Sequence, residues 1–330
     1  MIEALHATAQ AMVSRPRGIL AADESIGTMS SRLEKVGVAA TPDNRRAYRE
    51  MLVTTPGLHS GISGVILSDE TFNQKLDDGN SFPLAVHALG ILPGIKVDTG
   101  AKPLAGSPGE KVTEGLDGLR ERLADYVSRG ARFAKWRAVI TIGEGVPSVR
   151  AYRANAHALA RYAALCQEAV VVPIVEPEVL MDGDHTIERC AEVTTAALRH
   201  LMAELDEAGV DLAGTVLKPN MVVPGTTSGQ QASPEEVAER TVATLLAVLP
   251  ESLAGVAFLS GGQAPEVATA NLAAMQQHAT PWPLTFSFGR ALVDPALRAW
   301  HGDPALAGAG QQALAGRVGP NSAAVALVSA

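Results

Sequence analysis

Cysteine is scarce. Cys166 and Cys190 are the only two in the sequence, and they form no CxxC pair. A disulfide framework and a paired-cysteine metal site are thereby excluded, and a reducing cytoplasm is the expected setting. Charged residues make up only 19% of the chain, against roughly a quarter in an average domain. Basic residues are the minority sign: 27 against 35 acidic, a formal net charge of −8. Such a field repels phosphate backbones and anionic lipid, so neither a nucleic acid nor a membrane is an expected partner. No apolar run is long enough to span a bilayer; the longest, near Ala169–Val175, is broken by Pro173. No basic start followed by an apolar core opens the sequence, so no secretory signal is expected. None of the eight histidines forms an HxH or HExxH pair, and no metal site is expected. What the chain does have is 47% hydrophobic residues over 330 positions. That is enough to bury a core, which excludes disorder.

No charge block, low-complexity run or linker divides the chain, so residues 1–330 are read as one domain. About 1–17 would form an N-terminal helix and about 303–330 a C-terminal tail. A short apolar stretch, a polar turn and a helical pattern recur along it. Candidate strands begin near Gly18, Gly64, Ile91, Phe133, Val170, Gly214, Gly255 and Leu284. The clearest amphipathic helices are Leu116–Tyr126, Val149–Cys166, Ile187–Leu205, Glu235–Leu249 and Glu266–His278. Eight strands alternating with helices predict an α/β fold: a (β/α)8 TIM barrel with additional N- and C-terminal helices. A doubly wound sheet is disfavoured, because the first turn is Asp23-Glu24-Ser25 rather than a glycine-rich phosphate loop.

Strand side chains alternate faces. In Phe133–Ile140, Lys135 and Arg137 share a face with Phe133, while Trp136 points outward to the helices. The same parity pairs Glu176 with Glu178, and Asp23 with Ser25. Lys96, Lys218, Ser260 and Arg290 also fall at strand ends, where barrels assemble active sites. Five inward cations against three carboxylates, in an acidic protein, point to an anionic substrate. Ser260-Gly261-Gly262 with Arg290 would hold one phosphate; Lys96, Arg137 and Ser25 would hold a second across the mouth. A buried Lys218 beside Lys135 would have its pKa pushed down, making it a nucleophile able to form a Schiff base. Glu176 and Asp23 would then move protons.

In order along the chain, LAADES, GIKVD, PLAG, GLDGL, FAKWR, VPIVEPE, DGDH, LKPN, FLSGGQ and TFSFGRAL closely resemble class I fructose-bisphosphate aldolase, from about residue 2 to about 305. The resemblance implies a cytoplasmic, metal-free homotetramer with no cofactor, acting on small phosphorylated sugars. It cleaves fructose 1,6-bisphosphate reversibly to dihydroxyacetone phosphate and glyceraldehyde 3-phosphate. It implies Lys218 as the Schiff-base lysine and Glu176 as the main acid/base, with Asp23 and Lys135 assisting. Ser260, Gly261, Gly262, Ser287 and Arg290 are implied on the C1-phosphate side, and Lys96, Arg137, Ser25 and Arg32 on the second. Glu178 is expected to position cations. Two departures stand out. Ser31 stands where better-known animal members have a lysine, and the Ser322–Ala330 tail lacks their terminal tyrosine. A metal-dependent aldolase would need histidines at strand ends. A Schiff-base aldolase for another phosphorylated ketose stays open as the alternative.

Overall fold

In a computed structural model describing residues 2–326, eight parallel strands close into a barrel. They are β1 (Gly18–Ala22), β2 (Ile62–Leu67), β3 (Leu92–Lys96), β6 (Phe133–Ile140), β7 (Val172–Val179), β8 (Val216–Leu217), β9 (Gly255–Phe258) and β10 (Leu284–Phe288). Each begins within two residues of its expected start, and each pairs with its neighbours in chain order until β10 meets β1. One pair was not foreseen. β4 (Gly100–Pro103) and β5 (Lys111–Glu114) form an antiparallel hairpin outside the barrel. It rests on β6, where the Thr113 hydroxyl donates to the Arg137 carbonyl.

The barrel interior holds two layers. The lower is apolar: Ile19, Ile66, Phe133, Val172, Ile174, Val216 and Ala257 pack together. The N-terminal helix Ile2–Met12 adds Leu5, Ala9 and Met12 to this cluster and stops the bottom of the barrel. Phe133 needs glycine neighbours, since a Cβ on Gly94 would sit 2.2 Å from its ring and one on Gly64 2.8 Å. Gly94→Ala should therefore overpack the floor and cost about 1–3 kcal/mol of stability. Thermal unfolding checks this, and a second change, Phe133→Leu, should return much of the loss. One alternation higher the lining becomes charged, because parity carries Phe133 to Lys135 and Ile174 to Glu176.

Outside, Trp136 lies 5.5 Å from Tyr162, ring centre to ring centre, on the helix Val149–Glu168. The other foreseen helices form as Leu119–Ser128, Ile187–Glu207, Pro234–Leu246 and Pro265–Met275. Ser233 caps the third by accepting from the Glu236 N–H. The loop Asp182–His185 leads into a helix capped by Thr186. Near the end of the chain, the helix Ala307–Ala326 packs on the barrel flank, with Val318 against Gly61. Of the Ser322–Ala330 tail, 322–326 end this helix and 327–330 lie outside the described residues.

Candidate active site

Lys218 owes its position to the residues that follow it. β8 has only two residues, yet the ladder continues: the Lys218 N–H donates to the Val175 carbonyl, and the Leu259 N–H to the Pro219 carbonyl. Pro219 has no N–H to donate, and Asn220 takes over with its side chain, accepting from the Val179 N–H at 3.0 Å. The Lys218 side chain is 4% exposed, with its Nζ 3.4 Å from Glu176 Oε1. The Lys135 Nζ lies 3.2 Å from the other Glu176 oxygen and 2.5 Å from Asp23. Glu176 thus stands between the two lysines, which lie close enough for the Lys135 charge to act on Lys218, as expected. Burial is the main cause that pushes the Lys218 amine below its ordinary range; the charge of Lys135 adds to it, and Glu176 opposes it. For Lys135, burial is outweighed by Asp23 and Glu176, which hold it firmly protonated.

Burial alone would raise Asp23, but the ammonium groups of Lys135 and Lys218 outweigh it and hold its carboxyl down at about 2, from an ordinary 3.8. A carboxyl lowered on folding stabilises the fold above its unfolded value and loses that contribution as pH falls through the folded one. Stability against denaturant should therefore fall between about pH 4 and pH 2 in part because of Asp23, and Asp23→Asn should flatten that fall.

Above this cluster opens a cavity of about 950 Å³. Asp23, Ser25, Arg32, Lys96, Lys135, Arg137, Glu176, Glu178, Lys218, Ser260, Gly261, Ser287 and Arg290 all line it. Gly262 sits just behind, at φ +90°, where a Cβ would lie 3.1 Å from the Arg290 guanidinium. The Ser287 hydroxyl is buried with no hydrogen-bond partner among the described residues. Arg290 begins the helix Arg290–Trp300 and has no ion-pair partner among them either, so both are available to an anion. The opposite end is different. Arg137 is paired with Glu178 at 2.5 Å and Lys96 with Asp98 at 2.6 Å. Arg32 is paired with Glu24 and Asp294. Ser25 caps the helix Ile26–Lys35, accepting from the Thr28 N–H.

A sequence model of the family described as fructose-bisphosphate aldolase class-I matches residues 4–327. The chain belongs to this class I aldolase family. It is 58% identical over 303 residues to a protein of Xanthomonas campestris pv. campestris named probable fructose-bisphosphate aldolase class 1, covering 92% of this chain and 91% of that protein. To fructose-bisphosphate aldolase B of Gallus gallus it is 48% identical over 325 residues, covering 98% and 89%. A co-crystal structure of the Plasmodium falciparum fructose-bisphosphate aldolase with TRAP and a small-molecule inhibitor superposes with a TM-score of 0.96 at 44% identity, over 98% of this chain and 94% of that one. The class I aldolase family is metal-independent. No helix among the described residues is long and apolar enough to cross a membrane.

Several side chains that line or brace this cavity were not singled out from the sequence. Asp98 is buried, accepts from the N–H groups of Arg137 and Gly100, and holds Lys96. Arg49 is 2% exposed and donates to the carbonyls of Ala22 and Glu24, fixing the end of β1. Lys35 and Arg298 line the outer mouth. For Asp294 a signal existed: it follows Arg290 by four residues, which on a helix places both on one face.

Proposed function

We propose that the chain cleaves fructose 1,6-bisphosphate reversibly to dihydroxyacetone phosphate and glyceraldehyde 3-phosphate through a Schiff base on Lys218. The observation that carries this is a buried lysine 3.4 Å from a carboxylate, with a cation held behind it, at the foot of a cavity rimmed by further cations. The Lys218 amine adds to the C2 ketone and water leaves. The protonated imine accepts the electron pair of the C3–C4 bond as the C4 hydroxyl gives up its proton. The enamine is then protonated at C3, and water releases the ketone phosphate. Glu176, within reach of Lys218 Nζ, supplies and removes these protons; Lys135, held by Asp23, assists by positioning it. Ser260, Gly261, Gly262, Ser287 and Arg290 take the C1 phosphate. Lys96, Arg137, Ser25 and Arg32 take the second, and Glu178 positions Arg137.

Borohydride reduction with dihydroxyacetone phosphate, followed by peptide mapping, tests the reading. A label on Lys218 alone, with activity that survives EDTA, supports it; a label elsewhere with Lys218 intact overturns it. The two phosphate ends should also separate. Arg290→Ala should weaken fructose 1-phosphate and the bisphosphate alike, whereas Lys96→Ala should weaken the bisphosphate selectively. Each lost charge-assisted contact should cost about 1.5–3 kcal/mol. Equal loss for both substrates from Lys96→Ala refutes the two-end assignment, and steady-state kinetics decides it. The same reading extends to a single-domain chain working in the cytoplasm, as relatives of Arabidopsis thaliana named cytosolic do. It also extends to a homotetramer, which analytical ultracentrifugation would test.

A further inference from the structure

The second-phosphate end of the cavity carries its cations already paired, and the four pairing contacts are not equivalent. Asp98 and Glu178 are buried beside the cations they hold, at 8% and 6% exposure, and Asp98 also accepts two backbone N–H groups. Asp98 cannot leave without stranding those N–H groups, and Glu178 is held by burial beside Arg137. Asp294 is different. Its side chain is 32% exposed and lines the cavity. Its one hydrogen-bond partner among the described residues is Arg32, at 2.5 Å. Arg32 in turn is 12% exposed, on the last turn of the helix Ile26–Lys35. Its other partner, Glu24, is shared with Arg49 at 2.9 Å.

We propose that Asp294 is a specificity-determining residue: a displaceable carboxylate that pairs with the Arg32 guanidinium and must yield it to the second phosphate. The inference rests on the cavity being the bisphosphate site. A carboxylate and a phosphate both offer oxygens to a guanidinium N–H, so the two compete for the Arg32 Nη2 that Asp294 holds, while Nη1 stays with Glu24. Rotated toward water, Asp294 loses little, because its side chain is already partly solvated. It thereby weakens a ligand carrying a second phosphate and is indifferent to one carrying only the first. One helix then supplies both Arg290, for one phosphate, and the anion that guards the other. The helix does not depend on this pair for its place. The Tyr48 hydroxyl donates to the Val293 carbonyl, Arg317 donates to the Ala291 carbonyl, and Ala291, Leu292, Val293 and Leu297 are buried.

The test is KM and kcat of Asp294→Ala and Asp294→Asn on fructose 1,6-bisphosphate and fructose 1-phosphate. For the bisphosphate, KM should fall by roughly three- to tenfold in both variants, the scale of one released charge-assisted contact near a surface. For the monophosphate it should stay within about twofold, and kcat should hold for both substrates. In an Arg32→Met background, Asp294→Ala should no longer move the ratio of the two KM values. An unchanged or raised bisphosphate KM, or equal shifts for both substrates, overturns the proposal. So does a loss of melting temperature without a KM split, which marks a purely structural pair. Asp294→Asn keeps the side-chain volume and protects the test if the alanine variant unfolds. Borohydride trapping of the unaltered protein runs alongside. If Lys218 traps and the KM ratio does not move, Asp294 alone is wrongly assigned; if Lys218 does not trap, the site reading fails with it.

Discussion

Lys218→Met should abolish turnover, by about 10⁵-fold or more, which corresponds to about 7 kcal/mol of barrier. No other buried amine can substitute. Lys135, the nearest candidate, is held protonated by Asp23 and Glu176, and a protonated amine cannot attack a ketone. Lys218 differs because burial outweighs the single carboxylate it touches, so its amine deprotonates more readily than a solvated lysine. The variant keeps the length and apolar stem of the side chain, so the loss should appear without a comparable change in melting temperature. A variant retaining a percent or more of activity would place the covalent step elsewhere. Lys135→Met makes a companion measurement. Removing its charge takes away one influence that lowers Lys218, so the pH at which imine forms should move upward and trapping near neutrality should slow.

Glu176→Gln should lower kcat by roughly 10²–10⁴, the scale of a lost general acid/base. The amide preserves shape but cannot shuttle a proton, and it leaves Asp23, against Lys135, as the one carboxylate among the described residues in ion-pair contact with either lysine. Glu178→Gln should do less to kcat and more to substrate affinity, because Glu178 touches Arg137 rather than Lys218. Strand parity cannot separate these carboxylates, which point the same way from β7. Their partners do: Glu176 faces Lys218 and Lys135, and Glu178 faces the guanidinium at the rim. The assignment fails if Glu176→Gln keeps most of its turnover while Glu178→Gln abolishes it.

The barrel was legible because its strands obey period two and its floor is apolar. Phe133, Lys135 and Arg137 declared one inward face, and Trp136 the outward one. The β4–β5 hairpin escaped because Gly100–Pro103 and Lys111–Glu114 are short and polar, with no alternation to detect. The helix Pro42–Val53 escaped for a different reason. Its buried side includes Arg45 and Arg49, so no apolar stripe marks it. Those arginines are inside because they reach the Glu70 carboxylate and the carbonyls that end β1, partners a linear reading does not supply. The candidate site was legible in its cations and in the strand-end carboxylates Asp23, Glu176 and Glu178, and obscure in the outer anions that hold those cations. Lysines and arginines at strand ends stand out in an acidic chain, whereas Glu24, Asp98 and Asp294 look like ordinary surface residues until the fold brings them against those cations.

Asp23, Lys135, Glu176 and Lys218 form an unbroken row of alternating sign, with gaps of 2.5, 3.2 and 3.4 Å. Fully ionised, the row is neutral. Withdrawing one proton gives the whole row a single negative charge that no one member owns. The acid and alkaline limbs of a pH–rate profile will then report the row as a unit, with apparent constants that belong to four residues jointly. A change at Asp23, three places along the row from Lys218, should therefore displace the alkaline limb as well as the acid one. A row with no net charge also has little long-range field, so added salt should move these limbs less than it moves substrate capture by the outer cations.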